Sequence, residues 1–189
     1  LDGGDAGLPS PGELVRRVAD AHCLRAPLFE VASAFRLING AGDELPGVVV
    51  DRYGDYSVLA VSSDEAAERA QEIAEALLSR GSRGVYFKLR ERADQRRIDR
   101  DKNAPPLPIA GEPAAPELLV SEGGLRFPVR LGDGPSTGLF VDQRDNRNLV
   151  SRLAGGTRTL NLFAYTCSFS VAAACSGARE VVSVDLAEP

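Results

Sequence analysis

The sequence predicts an α/β chain in two parts, a small central α+β domain followed by the opening strands of an incomplete, open parallel sheet. Three observations carry that expectation. Residues 62–81 form an amphipathic helical pattern set between strand-like runs. Residues 101–117 (DKNAPPLPIAGEPAAPE) are proline-rich and read as a connector. Residues 157–186 hold an apolar run, a small-residue segment and a valine run, the pattern of two parallel strands joined by a helix.

Residues 1–12 (LDGGDAGLPSPG) read as a linker or tail. The central domain is expected over 13–110. Within it, ELVRRVADAHCL (13–24) brings Leu14, Val15, Val18 and Ala21 to one side of a short helix. FRLIN (35–39) is a strand. VVVDRYGDYSVLAVS (48–62) gives two strands around a turn at Tyr53–Asp55, where Gly54 can take a positive φ. The helix over 62–81 has Ser62 and Glu65 as a capping box and Gly81 as its C-terminal cap. Its apolar stripe is Ala66, Ala70, Ile73, Ala74, Leu77 and Leu78. GVYFKLR (84–90) is a further strand, and 101–117 is expected to hold neither helix nor sheet.

The second part is expected over 111–189. LLVSEGGLRFPVRL (118–131) is a hairpin turning at Gly123–Gly124, and FVDQRDNRNLVSRLAGG (140–156) a helix capped by Asp142. TRTLNLF (157–163), AYTC (164–167), SFSVAAACSGA (168–178) and REVVSVDL (179–186) are strand, loop, helix and strand. Two parallel strands do not complete a doubly wound sheet, so the sequence is expected to stop inside a domain. Methionine is absent, and Leu1 reads as a cut or processed end.

Composition narrows the chemistry. No stretch is apolar for the roughly 18 residues of a membrane span, and no signal segment opens the chain, so the expected location is cytoplasmic with no membrane partner. Cys23, Cys167 and Cys175 form no CxxC pair, and His22 is the single histidine, which argues against a zinc knuckle, a disulfide framework and a His-based triad. No metal is expected. The net charge of −5 argues against nonspecific coating of nucleic acid but leaves room for a local basic patch. RGVYFKLRERADQRRIDRDK (83–102) is such a patch: Arg92, Arg96 and Arg97 could meet phosphates, and Tyr86 and Phe87 could stack a base. The alternative is a strand running into a solvated charged segment.

In doubly wound sheets the ligand lies at the carboxyl ends of the strands, beside the loop after the first strand. Asp185, ending the second strand, is placed to accept from two ribose hydroxyls. From the residues alone it could equally cap a strand–helix turn. The loop AYTCSFS has no GxGxxG, so a dinucleotide fingerprint is absent, which disfavours nicotinamide binding.

Three segments together resemble one family. RLINGAGDELPGVVVDRYGD (36–55), TGLFVDQRDNR (137–147) and NLFAYTCSFSVAAACSGAREVVSVDLAEP (161–189) are similar, in this order, to motifs of the class I S-adenosylmethionine-dependent methyltransferases of large-subunit ribosomal RNA, cytosine-5 enzymes among them. Cys167 and Ala187 depart from the residues common there. The resemblance implies a Rossmann-like methyltransferase domain, S-adenosylmethionine as cofactor and ribosomal RNA as partner. It implies that Phe163, Ala164, Tyr165, Thr166, Ser168 and Phe169 line the amino-acid and sulfonium end of the cofactor and that Asp185 holds its ribose. It places Asp142, Gln143 and Arg144 on a segment covering the cofactor, with Arg144 able to pair with the carboxylate. Cytosine C5 is the expected target atom, with a guanine position as the alternative. The attacking group is expected beyond Pro189, and Cys167 and Cys175 are expected to be packing residues. An RNA-binding or assembly module without catalysis is the reading from a different class.

Overall fold

The computed structural model describes residues 7–90 and 103–186. Helix α1 spans Pro11–Leu24, starting two residues before the predicted point because Pro11 occupies its first turn, where no backbone N–H is needed. Leu14, Val18 and Ala21 are its buried stripe. Strands β1 (Ala34–Asn39), β2 (Val48–Tyr53) and β3 (Tyr56–Val61) form an antiparallel meander, with Gly54 at a φ of 61° in the tight turn between β2 and β3.

The predicted single helix over 62–81 is two helices, α2 (Asp64–Glu68) and α3 (Ala70–Leu78). Ser63, not Ser62, is the cap: its hydroxyl accepts from the amide of Ala66 at 3.2 Å, while Ser62 reaches back to the Gly47 carbonyl. Arg69 interrupts the helix at φ −97° and ψ 10°, with its guanidinium on the Pro9 carbonyl and the Glu72 carboxylate. Strand β4 (Gly84–Leu89) then pairs parallel to β3.

The connector also departs from expectation. Ala110–Gly111 form a two-residue strand, β5, antiparallel to β4. Prolines 108 and 113 bracket this segment, but the amides of Ile109 and Glu112 lie between them and bond Val85 and Arg83 carbonyls at 2.8 Å. The five-stranded sheet has the order β1-β2-β3-β4-β5.

One face of that sheet is covered by the helices: Phe35, Leu37, Val50, Leu59, Val61 and Val85 pack with Leu14, Val18, Ile73 and Leu77. The other is covered by the hairpin of β6 (Leu118–Glu122) and β7 (Leu125–Val129), which turns at Gly123–Gly124 as predicted. Val120, Phe127, Val129, Leu131, Leu139 and Val141 share a core there with Tyr53, Tyr56, Val58 and Tyr86. The boundary expected at 110/111 therefore runs through a common core.

Helix α4 (Arg144–Ala154) follows a 3-10 turn at Val141–Gln143. Asp142 does not cap it. Val141 is drawn into the core, which holds the segment out of helical register until Gln143, the residue at the N-cap position. Strands β8 (Arg158–Leu162) and β9 (Glu180–Val184) pair parallel, joined by helix α5 (Ser168–Cys175). Ser170 ties α5 to both strands, accepting from Asn161 at 2.9 Å and sharing a hydrogen bond with Ser183 at 2.6 Å. Leu160, Leu162, Val182 and Val184 are exposed. No helix among the described residues is long and apolar enough to cross a membrane.

Candidate cofactor site

A cavity of about 900 Å³ lies between two walls. One is built by Glu117, Phe127 and Arg130 of the hairpin region and by residues 133 and 135–138 beyond it. The other is the loop Ala164–Cys167 with Ser183 and Asp185 at the end of β9. The volume lies within the range of small-molecule sites.

The loop has an unusual backbone. Phe163, Tyr165 and Cys167 take positive φ values of 57°, 49° and 62°, although none is glycine. Such conformations cost of order 1–3 kcal/mol each and persist only where surrounding bonds over-determine them. Those bonds are present. The Ala164 amide donates to the Val184 carbonyl at 3.0 Å and the Cys167 amide to the Ala164 carbonyl at 2.8 Å. The Tyr165 amide donates to Asp185 Oδ2 at 2.6 Å, and the Thr166 hydroxyl to the Gly138 carbonyl at 2.5 Å. Asp185 thus shapes the loop while its carboxylate borders the cavity.

Of the residues expected at the cofactor, Ala164, Tyr165, Thr166 and Asp185 line this cavity together. Phe163 is 84% exposed beside it. Ser168 and Phe169 open α5, and the Phe169 ring lies 5.9 Å from the Arg147 guanidinium. Asp142 and Arg144 line a second, smaller pocket with Leu28, Phe35 and Arg36, and Arg144 pairs with Asp145 at 3.4 Å. Gln143 accepts from Asn146. Behind that pocket Arg36 forms a two-pronged pair with Asp51, whose carboxyl is pushed up by burial against the pull of Arg36.

Of the expected base-stacking residues of the basic patch, Tyr86 is buried and Phe87 half-buried. The Tyr86 hydroxyl accepts from the Ala114 amide, Phe87 packs against the core, and Lys88 is buried. Arg92, Arg96 and Arg97 lie outside the described residues. Cys175 is exposed rather than packed, and Cys167 lines the cavity. No group of three potential metal ligands occurs among the described residues.

Sequence reasoning missed Thr137 and Gly138 as wall residues, although both open a motif it had singled out. It also missed Arg147, 2% exposed, which holds Glu122 through two 2.7 Å bonds and lies over Phe127 as well as Phe169. No pattern within RDNRN distinguishes a buried arginine from a solvated one.

A parallel strand–helix–strand unit, an acidic residue closing its second strand and a cavity against its first loop define a Rossmann-like α/β class of protein. Residues 73–189 match the family model of S-adenosylmethionine-dependent methyltransferases, and the chain belongs to that family. It is 34% identical over 177 residues to a ribosomal RNA large subunit methyltransferase of Deinococcus radiodurans, covering 90% of this chain and 43% of the relative. It is 35% identical over 180 residues to ribosomal RNA large subunit methyltransferase I of Tolumonas auensis, covering 92% and 44%. Among solved structures, a Streptococcus mutans protein assigned as a SAM-dependent methyltransferase superposes with a TM-score of 0.83 at 31% identity, over 95% of this chain and 46% of that one. A protein assigned as a methyltransferase and crystallised with SAH gives 0.82 at 32% identity, over 94% and 45%. The chain spans less than half the length of these relatives.

Proposed function

We propose that this chain carries the S-adenosylmethionine-binding part of a methyltransferase acting on a base of large-subunit ribosomal RNA, with cytosine C5 as the target atom. The observation that supports this reading most is Asp185, held by the Tyr165 amide at the rim of a cavity of cofactor size. When bound, S-adenosylmethionine supplies an electrophilic methyl group on sulfur.

The chain's own residues suit that cofactor. Asp185 offers acceptor oxygens to a ribose diol. Arg130 pairs with Glu117 at 3.1 Å, so Asp133 and Asp185 leave the cavity lining with an excess of carboxylate, which favours a ligand bearing a sulfonium and an ammonium. The start of α5 at Ser168 and Phe169 provides a positive dipole end for the cofactor's carboxylate, and by the resemblance Arg144 would pair with that carboxylate. Ala164, Tyr165 and Thr166 shape the wall beside Phe163. By the resemblance, Asp142 and Gln143 lie with Arg144 on the segment that would cover the cofactor, while Arg92, Arg96 and Arg97 would meet RNA phosphates. The names of the relatives support ribosomal RNA as the substrate, and the motif resemblance of segments 36–55, 137–147 and 161–189 is the basis for preferring cytosine.

Calorimetric titration with S-adenosylhomocysteine tests the cofactor reading. Binding is expected, with a loss of roughly tenfold or more in Asp185→Ala. Asp185→Asn separates the two duties of this residue, because an amide oxygen still accepts from Tyr165 while the charge is gone. RNA binding with no heat from S-adenosylhomocysteine would instead favour the non-catalytic module.

A further inference from the structure

The cavity wall over residues 131–139 (LGDGPSTGL) has little secondary structure of its own, and its backbone closes on itself through the Arg130 amide and the Thr137 carbonyl. Two buried polar side chains of the five-stranded sheet reach it. Lys88, in β4 and 1% exposed, donates from Nζ to the carbonyls of Leu131, at 2.8 Å, and Gly134. Tyr53, ending β2 and 3% exposed, donates to the Leu139 carbonyl at 2.9 Å and accepts from the Thr137 hydroxyl at 2.9 Å. Between these holds, the Gly138 carbonyl takes the Thr166 hydroxyl of the opposite wall.

We infer that Lys88 and Tyr53 are positioning residues, through which the five-stranded sheet presets the 131–139 strap and, by way of Gly138 and Thr166, the loop that borders the cavity. A lysine in an apolar core is costly, and a hydrophobic residue of similar volume serves stability as well or better. Its amine contributes here by joining two carbonyls three residues apart, those of Leu131 and Gly134. The strap could not take this path with ordinary side chains. A Cβ on Gly132 would fall 2.3 Å from the Pro106 carbonyl oxygen, and Gly134 and Gly138 have φ values of 70° and 100°. A segment built from such residues has many alternative shapes, and the two buried side chains select one. The route Tyr53–Thr137–Gly138–Thr166 also joins all three motifs that the sequence singled out, one residue or pair from each.

The ligand arm of the test rests on the cofactor reading of this cavity; the exchange arm does not. Chains of all 189 residues carrying Tyr53→Phe, Lys88→Met and, as a control, Tyr56→Phe are compared by amide hydrogen exchange and by titration with S-adenosylhomocysteine. Tyr56 has a hydroxyl in the same core, but it donates to Pro113 and leaves the strap alone. Tyr53→Phe is expected to speed exchange about tenfold at 132–138 and 164–167 and to weaken S-adenosylhomocysteine several-fold, with Tyr56→Phe doing neither. In a double-mutant cycle, Tyr53→Phe and Thr166→Val should weaken the ligand by less together than the product of their separate effects. Unchanged exchange at 164–167 in Tyr53→Phe, or an equal effect from Tyr56→Phe, overturns the inference. So does faster exchange with unaltered affinity in a chain that binds the ligand. If Lys88→Met does not fold, the Tyr53 and Tyr56 pair decides. If the unmodified chain binds no S-adenosylhomocysteine, the cofactor reading falls and the exchange comparison alone decides the strap.

Discussion

The described residues contain the same connection twice, in two different settings. In β3–α2/α3–β4 and in β8–α5–β9, two parallel strands are joined by a helical crossover. In the first, every residue of β3 is buried, because helices cover one face of the sheet and the β6–β7 hairpin the other. In the second, one face carries exposed Leu160, Leu162, Val182 and Val184, and the loop after the first strand has three left-handed residues instead of a short polar turn. Parallel strands are stable when both faces are covered. The first crossover is therefore a scaffold, while the second keeps its strand ends and strained loop turned to a cavity.

One joint between them is the Arg147–Glu122 pair, since Glu122 belongs to the hairpin on the scaffold and Arg147 to α4, which packs on α5. Both partners are nearly inaccessible to water. Removing one charge strands the other in a low-dielectric site, at about 3–5 kcal/mol. Glu122→Gln is expected to lower the unfolding free energy by that amount in urea titrations. Separate transitions for the two regions would sharpen the contrast; a loss below about 1 kcal/mol would remove the pair as a joint.

The contrast predicts a second, smaller difference. Leu59 in β3 is fully buried, and Leu59→Ala should cost about 3 kcal/mol through lost transfer energy and a cavity. Leu162 in β8 is 55% exposed, and Leu162→Ala should stay within about 0.5 kcal/mol. Equal losses in thermal or urea unfolding would show that the second crossover is as firmly packed as the first.

Much of this division was legible in the sequence, for physical reasons. The β2–β3 turn at Gly54, the hairpin at Gly123–Gly124 and the β8–α5–β9 order all follow from local rules: positive φ at glycine, and apolar runs set by period. Asp185 was legible because a strand end in such a unit has a fixed place. What local rules did not contain was tertiary competition. Arg69 breaks a helix whose propensity is continuous, because its side chain engages Pro9 and Glu72. Asp142 loses its capping role to the burial of Val141. Tyr86, Phe87 and Lys88 look like a basic, stacking surface, yet they lie between two covered faces. Nothing in a single strand tells whether its second face will be roofed by a hairpin thirty or more residues later.

Lys88 offers the finest test, because it belongs to the scaffold crossover and acts on the cavity of the other. Burial lowers its pKa from 10.5 to about 8, with Asp133 pulling the other way. The sign follows from proton counts. Below pH 8 the amine is charged in both folded and unfolded chains, so the cost of the buried charge is fully present. Between pH 8 and 10.5 the unfolded chain keeps a proton that the folded chain has released, so this group makes stability rise with pH. The strap should respond in the opposite sense, since a neutral amine donates weaker hydrogen bonds to Leu131 and Gly134 than an ammonium does. Chemical unfolding of the native chain and of Lys88→Met, compared from pH 7 to 10, should diverge above pH 8 in favour of the native chain. Affinity for S-adenosylhomocysteine over the same range should fall in the native chain relative to Lys88→Met. Using the variant as reference subtracts the titration of every other group. Parallel stability curves would mean that Lys88 keeps its proton throughout, held by its two carbonyls and Asp133. Diverging stability with parallel affinities would mean that the scaffold and the cavity wall are mechanically independent, and that the two crossovers share a chain but not a site.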